Sequence, residues 1–144
     1  DLEALFSAVG ERMNARVADI LSPIDLDLPL SDRVDDFVQQ RTRALEAVTP
    51  VLRAALVHAA SSEVIRTQFE SGHSFFCHQI EAIFAVELDG APDRDLLLQT
   101  LVVALSWTTW ELLRGLQGLS IEAAEPIVGS MVRTAMAAAG FDAS

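Results

Sequence analysis

The sequence predicts an all-α protein. Apolar residues recur at steps of three and four along nearly the whole chain, and no alternating stretch is bounded by a hairpin signal of the Asn-Gly type. Interruptions fall at Ser22-Pro23, Thr49-Pro50, Gly90-Ala-Pro92 and Gly118, where proline or glycine stops or starts a helix. At 144 residues one domain with a sizeable core is expected.

A first helix is predicted from about Asp1 to Leu21, with Leu2, Leu5, Phe6, Val9, Met13, Val17 and Ile20 on one stripe. The segment Pro23 to Pro29 carries two prolines and no helical stripe, so it reads as an ordered crossing loop packed through Ile24, Leu26 and Leu28. Ser31 is placed to cap a second helix whose buried stripe is Val34, Phe37, Val38 and Leu45, and Thr49-Pro50 to open a short third one ending near Ala60. Ser61-Ser62-Glu63 opens a long fourth helix through about Glu87, with Ile65, Phe69, Phe76, Ile80 and Ile83 inward. A fifth helix, about Pro92 to Leu116, contains Leu101-Val-Val-Ala-Leu105, apolar around a full turn and therefore central. Ser120 caps a last helix to about Ala139, interrupted by Pro126, which removes a backbone hydrogen bond and should kink or delay its first turns.

Composition limits function. Hydrophobic residues make up 51% and mean hydropathy is +0.31, more apolar than a monomer of this size needs, so part of that surface should meet a partner. The last helix points to where: only Glu122, Glu125, Gly129 and Arg133 form a polar stripe, and the remaining arc is too wide for one contact. A two-fold pairing of the last two helices with their copies accommodates it, through Leu105, Leu112, Ile127, Val128, Met131 and Ala135; a buried terminal helix of a monomer is the alternative. Ten arginines, no lysine and 21 acidic residues leave a net charge of -11, so this segment alone should repel nucleic acid. No run offers the ~18 apolar residues of a membrane span, and the start carries no export signal, so a cytoplasmic protein without membrane contact is expected. Cys77 is the single cysteine, which excludes an internal disulfide.

The segment Ser106-Trp-Thr-Thr-Trp-Glu-Leu-Leu-Arg114, followed by Gly118-Leu-Ser120 and an alanine-rich helix, resembles the carboxy-terminal end of tetracycline-repressor-like (TetR family) transcriptional regulators. Asp1-Leu-Glu-Ala-Leu-Phe-Ser-Ala-Val9 similarly resembles the helix that, in those regulators, leaves the DNA-binding head and enters the regulatory domain. The resemblance implies a six-helix ligand-binding and dimerisation domain over residues 1–144, its last two helices forming a four-helix bundle with a partner and its helix-turn-helix head absent from this chain. It also implies a mechanism. A small molecule enters a pocket between the middle helices of each subunit, the first helix swings, and two heads that must fit major grooves ~34 Å apart lose their register on operator DNA.

The fourth helix gathers Phe69, His73, Phe76, Cys77 and Ile80 on one side, a wall suited to a small hydrophobic or aromatic effector with His73 placed to orient a carbonyl or carboxylate; plain core packing is the alternative. Trp107 and Trp110 each need an indole partner when buried, at that pocket or at the subunit contact. His73, Cys77 and Glu81 fall at metal-ligand spacing, but they lack a complete shell and no metal or other cofactor is expected. Cys77 should have a raised, unreactive thiol. Glu111 and Arg114 read as structural, Arg114 preferentially satisfying carbonyls at its helix end, while Asp32, Asp35 and Asp36 read as a solvated helix start. With no phosphate loop, nucleophile elbow or histidine-carboxylate arrangement, no enzyme is expected and no catalytic residue is assigned. The competing reading is a free-standing helical dimer that binds a hydrophobic ligand or a protein partner and never touches DNA.

Overall fold

The computed structural model describes residues 2–144, which are helical and turn with no β-strand among them. The start of the first helix at Asp1 thus lies outside the described residues. The elements are α1 (Leu2–Ile20), α2 (Leu30–Leu56), α3 (Glu63–Ile83), α4 (Ala85–Gly90), α5 (Arg94–Ala104), α6 (Trp107–Glu111, running on into a π-helical turn Leu112–Leu116) and α7 (Ile121–Ala138). Helix α2 is the spine, touching α1, α6 and α7, while α5 lies between α3 and α7. Four helices start on a side chain that accepts a first-turn amide: Ser62 from Ile65 at 3.2 Å, Asp93 from Leu96 at 2.9 Å, Ser106 from Thr109 at 3.2 Å and Ser120 from Ala123 at 3.2 Å. Ser31 does not cap, because α2 begins at Leu30 behind Pro29.

Three boundaries differ from the sequence expectation, each for a tertiary reason. Helix α2 runs straight through Thr49-Pro50. Its inward positions Val34, Val38, Arg41, Leu45, Val48 and Leu52 repeat every four and three residues, so burial continues across the proline, whose ring sits on the exposed side. Thr49 spends its hydroxyl on the Leu45 carbonyl, 2.7 Å away, instead of capping a new helix. Helix α3 stops at Ile83 rather than Glu87. Buried Phe84 leaves helical geometry and meets Phe37 edge-on at 5.7 Å, and Arg33 donates to the Ile83 carbonyl at 2.8 Å while pairing with buried Glu87. The expected fifth helix is broken at Leu105–Ser106, where the Ser106 cap restarts the chain as α6, and Gly118 (φ 68°) makes the turn into α7. Pro126 lies inside α7 without delaying its start at Ile121.

The core consists of Phe37 and Val34 from α2, Ile80 and Phe84 from the end of α3, Leu101, Leu105 and Trp110 from α5–α6, and Val128, Val132 and Met136 from α7. By length and mean hydropathy Arg94–Leu116 is apolar enough to cross a membrane, contrary to the reading of the sequence. In the fold that stretch is interrupted at Ser106, and Leu97, Leu101, Leu105 and Trp110 are consumed by the core. Helix α7 presents its polar stripe to α2. Thr42 donates to Glu125 at 2.5 Å and Arg133 pairs with Asp35, so among its exposed residues only Glu122 is charged.

Candidate functional site

Between α1, α2, α3 and α6 lies a cavity of about 380 Å³, within the range of small-molecule sites. Its composition follows from helical periodicity. Helix α1 and the residue that follows it cover it with Met13, Val17 and Leu21, all half-buried, and α2 floors it with Ala44, Leu45, Val48 and Leu52 on the stripe that continues past Pro50. Helix α3 supplies Phe69, His73, Phe75 and Phe76, and the start of α6 contributes Ser106, Trp107 and Thr108. Exposed Asn14, Gly72, His73, Phe75 and Thr108 mark the open side.

One charged group lines this cavity. Arg41 occupies a position of the α2 stripe that is otherwise apolar, and its guanidinium lies 3.6 Å from the centre of the Phe76 ring. Its Nε donates to the Leu105 carbonyl at 3.0 Å. That carbonyl is available because of the break before α6: the Thr109 amide, which a continuous helix would direct there, bonds to the Ser106 hydroxyl instead. Burial pushes the Arg41 guanidinium down to about 10, opposed by attraction to the Cys77 sulfur. Burial first, then Glu81, holds the Cys77 thiol above its ordinary value against the pull of Arg41, in line with the unreactive thiol expected.

The fold brings together four of the residues that the sequence nominates for ligand contact, namely Phe69, His73, Phe76 and Trp107. Cys77 lies just behind the wall, with its sulfur 3.5 Å from His73 Nε2, and does not line the space. Ile80 is fully buried among core side chains one turn beyond it, and Trp110 is fully buried on the far side of α6, donating to Glu46 at 2.8 Å. All three are corrections: the helix turns Cys77 away from the space and Ile80 and Trp110 into the core on their faces of α3 and α6. Trp107 instead donates its indole N–H to Thr49 at 3.0 Å and leaves a ring face on the cavity. Sequence reasoning missed Arg41, Val48 and Leu52, because a helix break placed at Thr49-Pro50 conceals the stripe they share; an arginine within that stripe is the signal that identifies them. Glu111 and Arg114, three apart on one helix, do not pair with each other. Arg53 holds Glu111 at 2.9 Å, and Arg114 holds Glu46 at 2.7 Å while donating to the Leu119 carbonyl. No group of three or more His, Cys, Asp or Glu fit to hold a metal occurs among the described residues.

The nominated contact residues divide as well. Leu105, Val128 and Ala135 are buried within the protomer, where the α5–α7 packing takes that side of each helix, although Ala135 also edges an outer groove. Leu112, Ile127 and Met131 are solvent-accessible, and the structure adds Leu96, Val103 and Leu116 on neighbouring elements. Between α5 and α7 this outer side carries a shallow groove of about 270 Å³ edged by Leu96, Thr100, Ala135 and Ala138.

Fold and site therefore define a class: an all-helical protein with a half-open, largely apolar cavity among α1, α2, α3 and α6 and an apolar, weakly charged outer face on α5 and α7. No protein-family model matches the chain, and neither a curated protein nor a solved structure matches it significantly.

Proposed function

We propose that this chain is the effector-binding and dimerisation domain of a TetR-like transcriptional repressor acting in the cytoplasm, in which a small apolar molecule changes the operator affinity of a helix-turn-helix head preceding α1. The observation that carries this reading is the cavity of about 380 Å³ lying directly under α1. A ligand there touches Met13 and Val17, and so acts on the one helix whose only buried residue is a glycine, Gly10. A molecule that fits the cavity better in one position of α1 than in another shifts the helix by that difference in affinity. The resemblance noted in the sequence makes α1 the link to the head. The accessible face of α5 and α7, with Leu96, Val103, Ile127 and Met131, supports a two-fold contact with a second copy.

The test uses Val48→Phe, which fills the cavity from the α2 side. Thermal-shift screening of apolar compounds should find ligands that stabilise the parent, and the folded variant should lose at least most of that response. An equal response in the variant places the ligand elsewhere. In the full gene product, the same ligand should release DNA from its own upstream region in a mobility-shift assay. Ligand binding without any DNA binding would instead favour the free-standing dimer.

A further inference from the structure

Four arginines of this chain are not exposed: Arg33, Arg41, Arg114 and Arg133. Three of them pair with a carboxylate, Glu87, Glu46 and Asp35 respectively. Arg41 pairs with none among the described residues, although the chain carries 21 acidic side chains, and no Asp or Glu lines the cavity it faces. A cation withdrawn from bulk water without a counter-charge is costly, and such groups ordinarily pair with acids or other ligands. Its orientation is nonetheless fixed. The Leu105 carbonyl holds Nε, the Phe76 ring lies against the guanidinium plane, and the hydrogen bonds of the described residues leave both terminal Nη groups for a partner in the cavity.

Resting on the cavity reading above, we propose that the ligand is a monocarboxylic acid with an apolar body, its carboxylate taken end-on by the two Nη groups of Arg41. The guanidinium fork matches two carboxylate oxygens, and occupation of Nε by a carbonyl selects the end-on rather than the side-on approach. Beyond Arg41 the walls combine apolar and aromatic side chains, such as Val48, Leu52, Phe69 and Trp107, with uncharged polar ones, among them Asn14 and Gln79. At ~30 Å³ per water-sized group, about 380 Å³ accommodates roughly a dozen heavy atoms. A single cation in the cavity of a chain of net charge -11 suits a monoanion and disfavours a phosphate dianion.

The experiment compares two acids, decanoate and 2-naphthoate, with their neutral alcohols, 1-decanol and 2-naphthalenemethanol. Binding is followed by thermal shift and by tryptophan emission, since Trp107 lines the cavity while Trp110 is enclosed in the core. In the parent at least one acid should bind about 10- to 100-fold more tightly than its alcohol, as expected for a charge-assisted bidentate contact. Arg41→Gln should erase that preference by weakening the acid far more than its alcohol, and Arg41→Lys should retain part of it. Which acid wins distinguishes an aliphatic from an aromatic body. Alcohols that bind the parent as tightly as the acids, or an acid preference that survives in Arg41→Gln, overturn the carboxylate assignment and leave the cavity reading standing; the parent comparison decides this even where a variant fails to fold. Binding of none of the four compounds overturns both.

Discussion

Helices α5 to α7 and helix α1 hold their apolar residues in opposite ways. At the α5–α7 end Leu101, Leu105, Trp110, Val128, Val132 and Met136 are almost wholly withdrawn from water, and Glu46 ties Trp110 to Arg114 through two hydrogen bonds. Helix α1 buries only Gly10. It packs on α2 and α3 through half-buried residues such as Phe6, Val9, Met13 and Val17, with Gln68 donating to the Phe6 carbonyl at 3.3 Å, and Met13 and Val17 lie over the cavity rather than in solid packing. The difference teaches where stability and response reside. An element with little buried apolar area can shift at small cost, whereas a filled core has few alternative packings.

The largest effect should come from Trp110→Ala, which empties a fully buried site and deprives Glu46 of a donor, at a cost of about 3–5 kcal/mol. Its counterpart Val17→Ala, over the cavity, should cost under ~1 kcal/mol by urea denaturation. Equal losses in the two variants would abolish the contrast between a filled and a hollow end. Next, Met131→Glu introduces a charge at a position 37% exposed in the protomer. The helix itself should tolerate it, so light scattering should report half the parent mass with the helical signal intact. A parent that is already monomeric, or a variant that keeps the parent mass, removes Met131 from any contact between copies.

The smallest effect concerns pH. Hydrogen bonding from Arg114, followed by that from Trp110 and attraction to Arg53, outweighs desolvation and holds the Glu46 carboxyl below its ordinary value of 4.5. The stabilisation is therefore complete above that value and is lost as pH falls through the lower folded one. Glu46→Gln should be less stable than the parent at pH 7, and the gap should narrow in acid. Urea midpoints taken on either side of the pI near 4.5 avoid precipitation, and a gap that widens in acid would contradict the assignment.

The all-helical class, the loop between Pro23 and Pro29, the Ser120 cap and the apolar wall of α3 were legible because they depend on local rules of period, proline and capping, although in that loop Leu26 is exposed and only Ile24 and Leu28 pack. The α2 continuation past Pro50 was not. Proline's cost within a helix is a local quantity of ~3 kcal/mol, but the burial of Val48, Leu52 and Thr49 that outweighs it depends on helices distant in sequence. The break at Phe84 likewise needs Arg33, 50 residues from the carbonyl it takes.

By itself, then, the amino-acid sequence determined the all-helical class and which residue types most helices present inward. Only the tertiary structure decided which of those inward residues meet solid packing and which meet a cavity. Helical periodicity fixes a side chain's angular position, whereas filling depends on how closely two distant helices approach. That is why Ile80 and Trp110 became core, Phe76 and Trp107 became wall, and Arg41 came to face a cavity without an acid of its own.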